Sequence, residues 1–160
     1  MNSRRNTSAL KRAWLEDPSS LTKKLKQVTH DKIAFHVLKN NWGFADTSSC
    51  QTLALTDPKV WQREIEFRHQ GVLWVAGTVL IPANTLQDSP TLQQNPPDHT
   101  PIGNVLFSNA REIKAAPFHF YAKEDADCRE RIIHIDEQPI LIQEVFYPAF
   151  FKWLRYNLKT

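Results

Sequence analysis

A chain of 160 residues with 41% apolar and 23% charged side chains is sized for one globular domain, which buries about two-thirds of the surface an extended chain exposes without a metal or disulfide staple. The formal charge of +3 is modest, and no dense basic face interleaved with stacking aromatics occurs, which argues against nucleic acid as a partner. Cys50 and Cys128 form no CxxC pair, Arg4 and Arg5 have no apolar stretch behind them, and the longest uncharged apolar run, 72–83, is about half the roughly 20 residues of a membrane helix, so a cytoplasmic protein with no membrane insertion is expected.

Residues 1–12, polar at their start, are expected to be a flexible tail ahead of a domain over 13–160. Asp17-Pro18 reads as an N-cap and first helical position, opening a short helix through Leu21, Thr22, Lys23, Lys24 and Leu25. Residues 33–38 look like a strand, and 40–49, rich in Asn, Gly, Asp and Ser, like a loop. The runs 60–68 and 72–82, joined by His69-Gln70-Gly71, predict a β-hairpin. Its second run is apolar at both parities and so reads as a central strand covered on both faces. Residues 86–100, with Pro90, Pro96 and Pro97, suggest an extended surface loop, and 101–107 the start of a helix or turn. After an aromatic alternation at 118–121, a second hairpin is expected over 129–147, turning near 136–139. Pro148 then suits the first position of a terminal helix with Phe150, Phe151, Leu154 and Leu158 on its apolar face. Hairpins in series, with helices near both ends, predict an α+β domain on one antiparallel sheet.

Two charges stand on the wrong side of these strands. In the first hairpin Arg63 shares its parity with Trp61, Ile65 and Phe67; in the last strand Glu144 shares its parity with Ile140, Ile142 and Phe146. A buried guanidinium costs several kcal/mol, on the order of the effective ion penalty in proteins, unless an anion meets it. Either Arg63 and Glu144 pair with each other or with buried backbone, or they line a pocket in which Arg63 binds an organic anion and Glu144 handles a hydroxyl or a proton. The six histidines include no H-x-x-x-H pair, so no metal site is expected; the serines lack a G-x-S-x-G setting, and Lys23, Lys24 and Lys26 read as a solvated helix face.

Several blocks then fall in a telling order: Trp14-Leu15, Ser20-Leu21-Thr22-Lys23, Trp61-Gln62-Arg63-Glu64, Thr100-Pro101-Ile102-Gly103 with Leu106-Phe107, and Glu144-Val145-Phe146-Tyr147-Pro148. In order and separation they resemble the chorismate lyase family of the ubiquinone pathway, over about residues 13–150. The resemblance implies a six-stranded antiparallel sheet with helices and flap-like segments over an enclosed site. It also implies a monomeric, cofactor-independent lyase that turns chorismate into 4-hydroxybenzoate and pyruvate, the first committed step of that pathway. Carried over residue by residue, Arg63 would take a substrate carboxylate and Glu144 would face the ring hydroxyl. Leu21 and Ile102 would supply backbone contacts and an apolar wall.

Two departures stand out. Gly77-Thr78-Val79 occupies the place where the family often has Gly-Arg-Thr, and Arg129-Glu130-Arg131 the place of Arg-Arg-Ser, which makes Arg129 or Arg131 a candidate for the second positive charge. The missing arginine motivates a competing reading, a non-catalytic module binding an aromatic carboxylate, because ligand-sensing domains of some transcription regulators resemble this fold. A third reading is a structural domain in which Arg63 and Glu144 simply pair.

Overall fold

The computed structural model describes residues 2–94 and 113–158. In chain order its elements are α1 (Asn2–Leu15), α2 (Leu21–Val28), β1 (Ala34–Phe44), α3 (Thr47–Leu53), β2 (Lys59–His69), β3 (Val72–Pro82), α4 (Ala83–Asp88), α5 (Pro90–Gln94), β4 (Ile113–Ala115), β5 (His119–Lys123), β6 (Ala126–Ile135), β7 (Gln138–Phe146) and α6 (Pro148–Asn157).

Both expected hairpins are present, and each closes through two residues of positive φ: Gln70 (51°) and Gly71 (78°) between β2 and β3, Asp136 (50°) and Glu137 (67°) between β6 and β7. Turns of this kind match the twist of the strands they join, so they fix the register rather than merely permit it. The inner strands of the two hairpins then pair, Gly77 opposite Glu144, which makes β3 a central strand as its two-sided apolar pattern predicts. With β1 outside β2, and β4 and β5 both pairing with β6, the described strands form a seven-stranded antiparallel sheet of order β1-β2-β3-β7-β6-β4. The α+β architecture is the expected one, with one strand more because β4 and β5 occupy different stretches of the same edge of β6.

The helices follow local chemistry with some changes from expectation. α2 is capped by Ser20, whose Oγ accepts from Lys23 N at 3.2 Å, not by Asp17. The Asp17 carboxylate instead accepts from Ser19 N at 2.8 Å and pairs with Lys24 Nζ at 2.8 Å. Lys24, 4.1 Å above the Trp14 ring, therefore ties α2 to α1 and does not sit on a solvated face. α1 forms in the segment expected to be a tail, where Lys11 pairs with Asp127 at 3.1 Å. α6 starts at Pro148 and buries Phe150, Phe151 and Leu154, each worth about 2 kcal/mol of apolar burial; Leu158, expected on that face, is the C-cap and is exposed.

The two expected loops differ more. β1 runs on through Phe44 because residues 40–44 complete the ladder with β2, from Asn40 opposite Arg63 to Phe44 opposite Lys59, and α3 follows with Asp46 as its N-cap. Residues 83–94 hold two short helices, with Ser89 and Leu92 buried. Asp136, in the turn of the second hairpin, accepts from Ser89 Oγ at 2.7 Å and Thr91 N at 2.9 Å and so fastens α5 to the sheet. The rest of that expected loop and the turn at 101–107 lie outside the described residues.

One sheet face carries two apolar clusters. At one end Phe67, Val75 and Phe146 pack with Trp14, Leu21 and Leu25 and with the apolar side of α6. At the other end Val79, Ile81, Ile133 and Ile140 pack with Leu92 of α5. A third cluster, Val60, Leu80 and Leu141 with Leu53 of α3, covers part of the opposite face.

Candidate active site

Between the two clusters, register brings the inward charges together. Arg63 lies opposite Val79, Val79 opposite Ile142, and Ile142 opposite Arg131, forming one cross-strand row. The next row is Ile65, Gly77, Glu144 and Arg129. Side chains two residues apart on a strand share a face, so both rows point the same way. Gly77 leaves its position open to Ile65, whose Cγ1 and Cδ1 would stand 3.1 Å from a Cβ there.

These rows floor a cavity that Arg63, Arg129, Arg131 and Glu144 line together with apolar walls from Phe35, Ile65, Phe67, Val79, Ile133 and Ile142. Ser19, the N-cap Ser20, and Leu21 and Thr22 at the start of α2 close one side. By helix geometry the first N–H groups of α2 have no acceptor within the helix, and their partial positive charge adds to that of the arginines. Among the described residues, three arginines against one glutamate, in a setting mostly apolar, make the cavity complementary to a small organic dianion.

The two arginines of β6 are engaged differently. Arg129 is 2% exposed; its Nε donates to Glu144 Oε1 at 2.8 Å, and its Nη1 donates to the backbone oxygens of Trp14 (3.2 Å), Leu15 (2.8 Å) and Asp17 (3.0 Å). It thus holds Glu144 in place and fastens the α1–α2 connection over the cavity. Arg131 Nη2 donates to Pro18 O at 3.2 Å. Both guanidinium groups lie over the Phe118 ring, each 4.3 Å from its centroid. Burial, and after it the charge of Arg129, push the Arg131 pKa down, while Glu144 pulls it up.

Of the four residues expected at the site, the cavity brings together Arg63, 2% exposed, Glu144, and Leu21, the first residue of α2. Ile102 lies outside the described residues. The partner of Glu144 is Arg129 across the β6–β7 pair, where one reading of the sequence paired it with Arg63. A signal for Arg129 existed: it shares the parity of Ile133 and Ile135, and a two-residue turn at Asp136-Glu137 sets it opposite Glu144. Thr78, which the resemblance sets where the family often has arginine, lies opposite Glu64 and Gln143 in the alternate row, so its side chain is set on the other face although the residue borders the cavity. Among the described residues no group of three or more His, Cys, Asp or Glu could hold a metal ion.

A sequence profile of the family described as chorismate lyase matches residues 4–155. The chain belongs to the chorismate lyase family. It is 34% identical to the probable chorismate pyruvate-lyase of Coxiella burnetii, over 90% of this chain and 86% of that protein. It is 28% identical to the chorismate pyruvate-lyase of Hamiltonella defensa, over 85% of this chain and 77% of that one. Among solved structures, the C-terminal domain of the histidine utilization repressor from Pseudomonas syringae superposes with a TM-score of 0.52 at 12% identity, covering 73% of this chain and 92% of that domain. At that identity the likeness is one of fold. Arg131, at the end of the Arg129-Glu130-Arg131 segment, faces the cavity.

Proposed function

We propose that this chorismate lyase family member eliminates pyruvate from chorismate to leave 4-hydroxybenzoate, with Arg63 and Glu144 as the substrate-contacting polar residues. The observation that carries the reading is the placement of Arg63 on β2 and Glu144 on β7, two strands apart on one face of one cavity. Strands about 4.8 Å apart set these groups to address opposite ends of a six-membered ring lying over β3.

In the reaction the ether bond between the ring and the enolpyruvyl oxygen breaks, and the ring carbon bearing the hydroxyl loses its hydrogen as a proton. The ring becomes aromatic, and the departing enolpyruvate takes a proton on its methylene carbon to become pyruvate. Aromatisation supplies much of the driving force, and no cofactor is called for. Arg63 supplies a fixed fork of donors for the ring carboxylate. Glu144, held by Arg129, presents acceptor oxygens to the ring hydroxyl at the other end and is placed to receive its hydrogen bond. The apolar walls keep water out and strengthen the attraction between these charges and the dianion. Leu21 and Ile102 form part of the apolar enclosure in this reading, which also includes binding of the product 4-hydroxybenzoate, a cytoplasmic location and a monomeric state.

The test is to incubate the full chain, pretreated with chelator, with chorismate and to quantify both products. Equal amounts of pyruvate and 4-hydroxybenzoate, formed in proportion to protein, are expected. Folded protein that binds 4-hydroxybenzoate but forms no product above background would overturn the lyase reading and leave a binding module in its place.

A further inference from the structure

Chorismate carries two carboxylates, one on the ring and one on the group that leaves. Arg63 and Glu144 account for the ring carboxylate and the ring hydroxyl, so the second carboxylate lacks a cation. We propose, resting on the reading above, that Arg131 binds the carboxylate of the departing enolpyruvyl group and so distinguishes substrate from product.

The strand order supports this placement. Arg63 stands on β2, Glu144 on β7 and Arg131 on β6, the next strand beyond Glu144. In chorismate the enolpyruvyl ether is attached to the ring carbon next to the one bearing the hydroxyl, so its carboxylate falls on the Glu144 side of the ring, away from Arg63. Of the two arginines on β6, Arg129 is occupied with Glu144 and three backbone oxygens, which leaves it a holding role. Arg131, two residues along on the same face, lines the cavity and makes one hydrogen bond among the described residues, to Pro18 O. Its guanidinium rests on the Phe118 ring, a support that fixes its plane without occupying its donors. Burial and the neighbouring Arg129 charge disfavour its protonated form, and an incoming carboxylate relieves that cost. In the product this carboxylate is gone with the pyruvate, so Arg131 adds to the affinity for chorismate and nothing to the affinity for 4-hydroxybenzoate.

The experiment compares Arg131→Gln and Arg131→Lys with the wild-type chain, measuring kcat/KM for chorismate and, separately, the Kd for 4-hydroxybenzoate. For the glutamine variant kcat/KM is expected to fall about 10- to 100-fold, the range for losing a hydrogen bond to a charged group, with the Kd for 4-hydroxybenzoate changed by less than about twofold. The lysine variant recovers part of the loss, since it keeps the charge and forfeits the fork. Retained 4-hydroxybenzoate binding also certifies that each variant is folded. Unchanged kcat/KM overturns the assignment, and so does a loss of 4-hydroxybenzoate binding as large as the loss in kcat/KM, because that places Arg131 on the ring carboxylate or in a structural role. A wild-type chain that binds 4-hydroxybenzoate but never turns over chorismate instead overturns the lyase reading, and this assignment with it.

Discussion

Arg129 and Glu130 are neighbours on β6, and each shares a side-chain hydrogen bond with the residue directly opposite on β7: Arg129 Nε donates to Glu144 Oε1 at 2.8 Å, and Glu130 Oε2 accepts from Gln143 Nε2 at 2.9 Å. One residue of offset puts them on opposite faces. The first pair is enclosed, with side-chain exposures of 3% and 16%, beside a cavity roofed by the α1–α2 connection. The second lies half-buried in a polar row with Glu64 and Thr78. Two pairs alike in strand and register thus differ in worth: one joins two enclosed charges, the other a half-buried carboxylate and a neutral amide, so only in the first does losing one partner leave a desolvated charge.

The most severe break in this comparison is Arg129→Ala, which strands Glu144 and frees three backbone oxygens; a loss of roughly 3–5 kcal/mol is expected, read from denaturant unfolding. Replacing both partners, Arg129→Met with Glu144→Leu, sharpens the point. Only the part due to the stranded carboxylate returns, because the oxygens of Trp14, Leu15 and Asp17 stay unpaired, and turnover of chorismate does not return, since the apolar pair offers no acceptor for the ring hydroxyl. Arg63→Ala comes next, with kcat/KM lowered about 100-fold, or ~3 kcal/mol at the upper end of a charged hydrogen bond. A fall of less than threefold from folded protein removes Arg63 from the substrate site.

Desolvation also governs a titrating group. His69, 6% exposed and packed between Trp74 and Trp153, has its pKa pushed below the usual 6.5 by burial and then by Lys32. The native state therefore binds the proton later than the unfolded chain does, so stability rises with pH and is lost as pH falls through about 6.5. His69→Phe is expected to flatten unfolding free energy between about pH 7 and 5, a window set by that usual value. Asp136, whose pKa is lowered chiefly by the Thr91 N–H, acts in a separate range: its contribution is present above the usual carboxylate value of 3.8 and fades as pH falls below it. The smallest effect belongs to the outer pair, where Glu130→Gln should cost at most about 1 kcal/mol and leave kcat/KM within twofold. A cost equal to that of Arg129→Ala would dissolve the distinction between the two faces.

Sequence alone determined the parts that depend on short-range periodicity. Alternation placed Arg63 and Glu144 on apolar faces, a Gly-containing turn predicted the first hairpin, two-sided apolarity marked β3 as central, and Pro148 opened α6, because each of these is dictated within a few residues along the chain. What needed the tertiary structure was every decision taken across long separations. Asn40–Phe44 have loop-like composition but become strand because β2 offers a ladder; Leu92 turns an expected loop into a docked helix because the sheet offers a surface. Whether Glu144 meets Arg63 or Arg129, and which arginine of β6 holds the protein while the other faces the cavity, was decided by strand order and by carbonyls more than a hundred residues away in the chain. Parity shows that a charge is turned inward; only the packed neighbours determine whether another protein group neutralises it or a ligand must.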